Sequence, residues 1–275
     1  WSWMLREKGY DEALFNHLKI DCSKCFGLCC VALFFSKCDG FPTDKGAGKP
    51  CLNLKDDFSC YIHQNLRNQG LKGCTTYDCF GAGQKVAQFN YEGLSWKENS
   101  NVAQQMYDDF LIVRKLHEMM WYLTDASTFI LPKELKEKLH LLIKETEKLT
   151  EEPTIVEVDA YRLKVNTCLK EVQAYVSQKV AGNQVISGFD FIGKNLTRKS
   201  LRGANLAGSL LIAANLRHTD LSGANLIGAD LRDADIRDAN LADCLFLTQI
   251  QVNSAKGNAA TKLPRWIVRP SYWEK

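Results

Sequence analysis

Residues 191–246 read FIGKNLTRKSLRGANLAGSLLIAANLRHTDLSGANLIGADLRDADIRDANLADCLF. A large apolar residue stands at every fifth position: Phe191, Leu196, Leu201, Leu206, Leu211, Leu216, Leu221, Leu226, Leu231, Ile236, Leu241 and Phe246. Two places before each, the residue is mostly small, as in Ala204, Ser209, Ala214, Thr219, Ala224, Ala229, Ala234, Ala239 and Cys244. One place before, Asn or Asp dominates. A helix returns to one face about every 3.6 residues and a strand every two, so neither sustains a strict period of five.

This pattern, A-N/D-L-x-x, resembles the pentapeptide-repeat family. The resemblance implies a short right-handed quadrilateral β-helix with one pentapeptide per side, the leucine inward and the small residue completing the interior layer. Twelve units then make about three coils, a stack of roughly 14 Å at the spacing of paired strands. A solenoid needs its open ends covered. The first coil carries Lys194 and Lys199 where small residues belong, and a preceding helix is its expected cover. The tail from Leu263 to Trp273 has the aromatic side chains to cover the other end.

The second dense signal lies upstream. Nine of the eleven cysteines fall between Cys22 and Cys79, in a stretch punctuated by glycine and proline. Such composition favours loops, and a small loop-rich domain needs a staple. The first fifteen residues are charged and lack the apolar core of a secretory signal. The expected setting is therefore the reducing cytoplasm, where clustered cysteines suggest metal rather than disulfides. Cys22-x2-Cys25 is the spacing of a chelating pair. Cys29 and Cys30 are adjacent, and neighbouring side chains of an extended segment point opposite ways, so they serve different centres. With Cys51, Cys60, Cys74 and Cys79 they make eight thiolates: two four-cysteine sites, or one closed site and one open. Soft sulfur suits zinc or an iron–sulfur cluster, and spacing does not choose between them. His63, three residues after Cys60, is a further candidate ligand or a hydrogen-bond donor to one. Tyr61, Tyr77 and Asp78 are candidates for lining a site. Backbone N–H groups of Phe80-Gly81-Ala82-Gly83 are candidates to approach sulfur. Cys168 and Cys244 are read as packing residues.

The motifs C-S-K-C-F-G-L-C-C, P-C-L-N-L, F-S-C-Y-I-H and G-C-T-T-Y-D-C, over about residues 22–85, resemble the YkgJ-type cysteine-cluster family, described as zinc- or iron-chelating. Cys38 has no place in that pattern and is treated as an extra thiol, and Lys72-Gly73 replaces the family's Arg-Pro before the penultimate cysteine. Some flagellin lysine methylases carry a similar cluster, which keeps an enzyme among the readings. The spacing x2 then x3 differs from the C-x3-C-x2-C of radical enzymes that use S-adenosylmethionine.

Residues 5–20 read as a short helix. Between 101 and 180, three patterns with helical spacing follow one another. Pro132 opens the second, Pro153 precedes the third, and Gly182 is the expected stop. His117 and His140 on these helices are read as satisfied or surface histidines rather than ligands, since no cysteine or carboxylate pattern sits beside them. The fold class is thus multidomain: a loop-rich cysteine metal-binding domain over 1–90, an α-helical connector over 91–182, and the repeat with its C-terminal cap over 183–275.

A net charge of +3 from 35 basic and 32 acidic residues gives no reason to expect a nucleic-acid or membrane partner. Three functions compete. The first is a metal-binding module, zinc or iron–sulfur with two centres, whose β-helix engages a protein or peptide in a bacterial cytoplasm. The second is a metal-dependent enzyme that modifies a peptide or protein. The third, a gyrase-protecting DNA mimic, is disfavoured because residues 190–247 carry seven basic side chains against seven acidic ones. No acid–base pair or nucleophile–base motif is visible, so the module leads.

Overall fold

From Phe191 to Leu226, each inward residue of the repeat donates its backbone N–H to the carbonyl nineteen residues on, as in Phe191 to Leu210 (2.8 Å) and Leu221 to Asn240 (2.9 Å). Parallel bridges join residues twenty apart: Asp190 to Leu210, Asn195 to Asn215, Ser200 to Asp220 and Asn205 to Asn225, then on to Asn225 with Leu245. Five-residue sides and a twenty-residue turn give a four-sided coil. The expected strands are replaced by single-residue bridges, and no extended strand is present among the described residues. The reason is local. The carbonyl of each inward residue accepts the N–H three residues later, as in Leu201 from Ala204 (3.0 Å), so the backbone turns a corner before a second ladder residue can form.

The computed structural model describes residues 5–7, 12–180 and 189–274. The chain forms two compact units from interleaved pieces, so that the stretch 91–182 contributes to both: Trp1–Leu14, Tyr122–His140 and Val165–Lys275 in one, Phe15–Trp121 and Leu141–Lys164 in the other.

In the repeat unit the inward column is buried, from Leu196 at 5% exposed to Leu241 at 0%. Ser209, Ala214, Thr219, Ala224, Ala229, Ala234, Ala239 and Cys244 are buried beside it, while Lys194 and Lys199 are exposed. The Asn/Asp column has a physical cause that the pattern alone did not supply. Each side-chain oxygen accepts the N–H two residues on, as in Asn195 from Thr197 (3.0 Å), Asp220 from Ser222 (3.0 Å) and Asn225 from Ile227 (3.0 Å), which fixes the entry to every corner. The corner itself needs a left-handed residue two places after the inward one. Glycine fills that station at 193, 203, 208, 223 and 228, while Arg198, Ala213, His218, Asp233 and Asp238 adopt it without glycine's freedom.

The helix Val158–Val180, α6 in chain order, packs its last turns on this coil. A Cβ at Gly203 would lie 3.0 Å from Val180, and one at Gly223 2.6 Å from it, so the helix contacts the first and second coils along one flank. Ser177 Oγ donates to the Gly203 carbonyl at 2.8 Å. The far end is closed by the tail. Asp235 and Asn240 bridge to Lys256 and Lys262. The amide of Gln251 donates to the Leu226 and Ala229 carbonyls (2.7 and 2.9 Å), and Trp266, Ile267 and Trp273 are buried. Arg6 lies under the guard of two rings, 3.8 Å from the Phe129 centroid and 4.6 Å from that of Trp266. It pairs with buried Asp125 (3.0 Å) and donates to the Cys244 carbonyl (2.6 Å). Residues 5–20 therefore do not form one helix. Arg6 bridges antiparallel to Phe129, and a 3-10 helix follows at Glu12–Leu18. Pairing the guanidinium with Asp125 outweighs local helical spacing here. Tyr10 of that expected helix, and the stop at Gly182, lie outside the described residues.

The cysteine unit opens with α1 (Leu28–Ala32), α2 (Lys72–Thr75) and α3 (Ala82–Lys85), the last running into a π-helical turn, Val86–Asn90. Three long helices follow, α4 (Ser100–Ser127), α5 (Lys133–Leu149) and α6 (Val158–Val180), and α7 (Gln249–Ser254) lies in the tail. Met106, Phe110, Val113 and Leu116 of α4 are fully buried, as their spacing requires. Leu28 and Val31 of α1 and Ala82 of α3 pack with Met106, Phe110 and Val113 in one core. No helix among the described residues is long and apolar enough to cross a membrane.

Leu221 is 1% exposed in the dry interior of the coil. Replacing it with Asp buries an unpaired charge and should lower stability by about 4 kcal/mol or more. Thermal melting of the L221D variant checks this; a melt like the parent's would mean that the inward frame is wrong.

Candidate metal centre

Short elements separated by tight turns hold the cysteines. Cys22 begins a 3-10 turn, Cys22–Lys24, capped by Asp21, whose carboxylate accepts the Ser23 N–H at 3.1 Å. Cys29 and Cys30 lie on α1, a helical turn and not the extended segment expected; the Cys30 N–H closes onto the Gly27 carbonyl at 2.8 Å. Successive helical residues diverge by about 100° at the backbone, and the two sulfurs nonetheless lie 3.9 Å apart. Cys74 is on α2, and Cys79 sits just before α3.

Cys22, Cys25, Cys29, Cys30, Cys60, Cys74 and Cys79 line one cavity of about 1110 Å³, together with His63, Tyr61 and Tyr77. Phe34, Phe35, Phe41, Phe58 and Phe110 make much of the remaining wall. Cys51 is not on that wall; it packs with Cys74 against Phe35, Phe41 and Leu71. Cys38 stands exposed on the 3-10 turn Lys37–Asp39, away from the lining. Asp78 does not line the cavity either. It is buried, its Oδ1 accepts the Phe80 N–H at 2.7 Å, and burial raises its carboxyl to about 6. Cys168 and Cys244 are fully buried, consistent with packing roles. Among the described residues, no group of three or more His, Cys, Asp or Glu side chains stands ready to hold a metal ion.

The sulfurs are surrounded by donors. Gly81 and Gly83 turn their N–H groups toward Cys79, Gly27 and Leu28 toward Cys25, and Ile62 and His63 toward Cys60. The Asn53 N–H lies 3.5 Å from the Cys51 sulfur. At Cys25, Cys51, Cys60 and Cys79 a donor thus comes from the residue two places on, a recurrence that the sequence carries but that only the turns reveal. Gly83 is tight against the thiols, since a Cβ there would lie 2.8 Å from Cys25 Cβ and 3.9 Å from Cys79 Sγ.

Electrostatics work against free thiolates. Burial, followed by the charges of Cys30, Cys51 and Cys60, pushes the Cys74 thiol up to about 12. Burial pushes Cys79 up to about 11. Cys22 shares a proton with Cys25, which draws Cys25 down to about 7 and holds Cys22 high. Cys29 and Cys30, with sulfurs 3.9 Å apart, divide a proton in the same sense, Cys30 lowered and Cys29 raised. Lys45 and Lys55 are the nearby cations, Lys45 acting on Cys30 and Cys51 and Lys55 on Cys60. Neither was evident from sequence, because cation proximity is set by loops. A soft cation would reverse this balance, because a coordinated thiol is deprotonated outright.

His117 is the satisfied core histidine that its surroundings in the sequence suggested. Its Nδ1 lies 2.7 Å from the Phe80 carbonyl, and burial lowers its pKa to about 4. His140 is exposed.

A chain that turns a corner every five residues over stacked twenty-residue coils is a pentapeptide-repeat protein, and residues 209–246 match the family model described as pentapeptide repeats (8 copies). Over 265 residues the chain is 48% identical to the "Uncharacterized protein YybG" of Bacillus subtilis (strain 168), a match that covers 94% of this chain and 95% of that one. It belongs to the same family as YybG. Two solved structures are also similar. One is a pentapeptide repeat protein, Rfr23, from the cyanobacterium Cyanothece 51142, with 23% identity, a TM-score of 0.21, and coverage of 27% of this chain and 56% of that chain. The other is a pentapeptide repeat protein from the Arabidopsis thaliana thylakoid lumen, with 28% identity, a TM-score of 0.17, and coverage of 34% and 63%. This chain spans less than two thirds of either.

The neutral His117 gives a pH signature. Between pH 6.5 and about 4 the unfolded chain takes up a proton that the folded one refuses. The contribution is therefore fully present above 6.5 and is lost as pH falls, on the order of 3 kcal/mol across the window. Melting of the parent and of His117→Gln, which keeps an N–H donor for Phe80, should differ in slope over that range. Parallel curves would contradict a buried neutral imidazole.

Proposed function

We propose that this is a metal-binding pentapeptide-repeat protein in which thiolates of Cys22, Cys25, Cys29, Cys30, Cys51, Cys60, Cys74 and Cys79 hold two zinc or iron–sulfur centres. The metal staples the cysteine unit, and the repeat, a right-handed quadrilateral β-helix of about three coils, acts as a protein-interaction module. The observation that carries the reading is the convergence of seven thiols on one cavity, in a stretch whose α-helices before α4 are no longer than five residues. So little regular structure needs a cross-link, and metal binding supplies folding free energy directly. The backbone N–H groups around Cys25, Cys51, Cys60 and Cys79 suit the ionised sulfur that a soft metal requires. The YkgJ-type resemblance over 22–85 supports the same ligands, and a reducing cytoplasm would keep them available.

A protein or peptide is the favoured partner, engaged by the outer face of the coil or the helical connector. On the coil, Arg202, Arg217, Arg232 and Arg237 pair with Asp220, Asp238, Asp230 and Asp235, which leaves little of the negative column that a DNA mimic needs. The enzyme reading is favoured by one feature. The cavity exceeds what two ions require and falls near the range of small-molecule sites, and the Tyr77 hydroxyl on its wall is buried with no partner among the described residues.

Elemental analysis and visible absorbance of anaerobically purified protein test the first reading: tightly held zinc, or a charge-transfer band with iron and sulfide, is expected, and metal-free folded protein would contradict it. His63→Ala separates the two readings. For a structural staple, this exposed residue can be lost with metal content and melting unchanged and no turnover at stake. If His63→Ala keeps both but abolishes a measurable conversion, the cavity is an active site.

A further inference from the structure

The eight thiols are not one crowd, and the packing sorts them. Cys25 and Cys79 flank the same glycine, Gly83, where a Cβ would lie 2.8 Å from Cys25 Cβ and within contact of Cys79 Sγ at 3.9 Å. Cys29 and Cys79 share the core of α1, α3 and α4 with Leu28, Val31 and Phe110. Cys25 Sγ lies 3.6 Å from the Cys22 carbonyl, and Cys22 feels the charges of Cys25 and Cys79. On the other side, the Cys51 N–H donates to the Cys30 carbonyl at 3.0 Å. The Cys51 carbonyl holds the Leu54 N–H at 3.0 Å, and Leu54 bridges antiparallel to Cys60. Cys51 and Cys74 pack together on the separate core of Phe35, Phe41 and Leu71. The charges that act on Cys74 come from Cys30, Cys51 and Cys60. Cys30 is the junction, since its charge is also felt by Cys22 and Cys29.

We infer that the chain builds two four-thiolate sites, one from Cys22, Cys25, Cys29 and Cys79 and one from Cys30, Cys51, Cys60 and Cys74, joined through the peptide bond between Cys29 and Cys30. This rests on the metal reading above and adds which thiols share an ion. The helical turn α1 makes the split possible, because adjacent residues on a helix leave it about 100° apart and each can serve a different centre. Four thiolates per site suit a tetrahedral zinc or an iron–sulfur cluster, and neither needs a ligand from His63. The two centres are necessarily neighbours, with ligating sulfurs 3.9 Å apart at the junction.

Metal content of cysteine-to-serine variants tests the partition without any assay of activity. Cys79→Ser and Cys74→Ser should each halve the metal bound per chain. Adding Cys22→Ser to Cys79→Ser should cost nothing further, whereas combining Cys79→Ser with Cys74→Ser should remove the rest. The visible spectrum of the parent distinguishes clusters from zinc. A variant that folds poorly would lose metal for that reason alone, so the same question is put to the parent chain. During stepwise metal removal by a chelator, pulsed alkylation with mass spectrometry should expose the thiols in two blocks of four, with Cys29 in one and Cys30 in the other. Cys29 and Cys30 appearing in the same block, or Cys22 leaving with Cys74, would overturn the partition while leaving metal binding intact. A parent chain that takes up no metal, purified or reconstituted, would overturn the metal reading itself and the partition with it.

Discussion

Buried thiols that face one another cannot all ionise without a cation among them. That constraint shapes the cysteine unit. Its short helices and turns do little to hold themselves together; helices of four or five residues are far below the length at which a helix persists alone. Their role is to aim sulfur and backbone N–H groups. Cys79 illustrates the arrangement: Gly81 and Gly83 present N–H groups to its sulfur, yet burial still keeps its thiol high, at about 11. Donors favour the thiolate while burial opposes it, and a soft ion would tip that balance.

The repeat unit solves a different problem by backbone means. In each five-residue unit one backbone N–H closes the corner, one goes to the Asn or Asp side chain where that residue is present, and the ladders take the rest, so the backbone of the coil is largely paired until it ends. The end is where Arg6, Asp125 and the tail gather. Breaking one partner of such a buried pair leaves an uncompensated charge, which is costly even where the intact pair contributes little. The two rings against Arg6, Phe129 and Trp266, add cation–π contact that a lysine would reproduce poorly.

The inward column of the coil was legible in the sequence because a period of five admits few alternatives, and the burial of Leu196 through Leu241 follows it residue by residue. The corner station two places after the inward residue was not legible, because glycine alternates there with Arg, Ala, His and Asp and only the turn discloses the left-handed backbone they share. The helical patterns of α4, α5 and α6 were legible for the same periodic reason. Arg6 was not, because its partners Asp125 and Cys244 lie 119 and 238 residues away. At the cysteines, spacing and the family resemblance named the candidate ligands and raised the expectation that Cys29 and Cys30 serve different centres. Neither could say that Cys29 and Cys30 sit on a helical turn, that Cys51 packs with Cys74 against Phe35, Phe41 and Leu71, or that Lys45 and Lys55 act on the thiols, since those facts are made by loops.

The central claim is that sulfur, supplied by these cysteines, holds a metal. X-ray absorption at the edge of whichever metal accompanies the anaerobically purified protein tests it most directly. The account predicts a first shell of four sulfur scatterers, at about 2.3 Å if the metal is zinc. A first shell of nitrogen and oxygen, with the cysteines all titrating as free thiols, would contradict it.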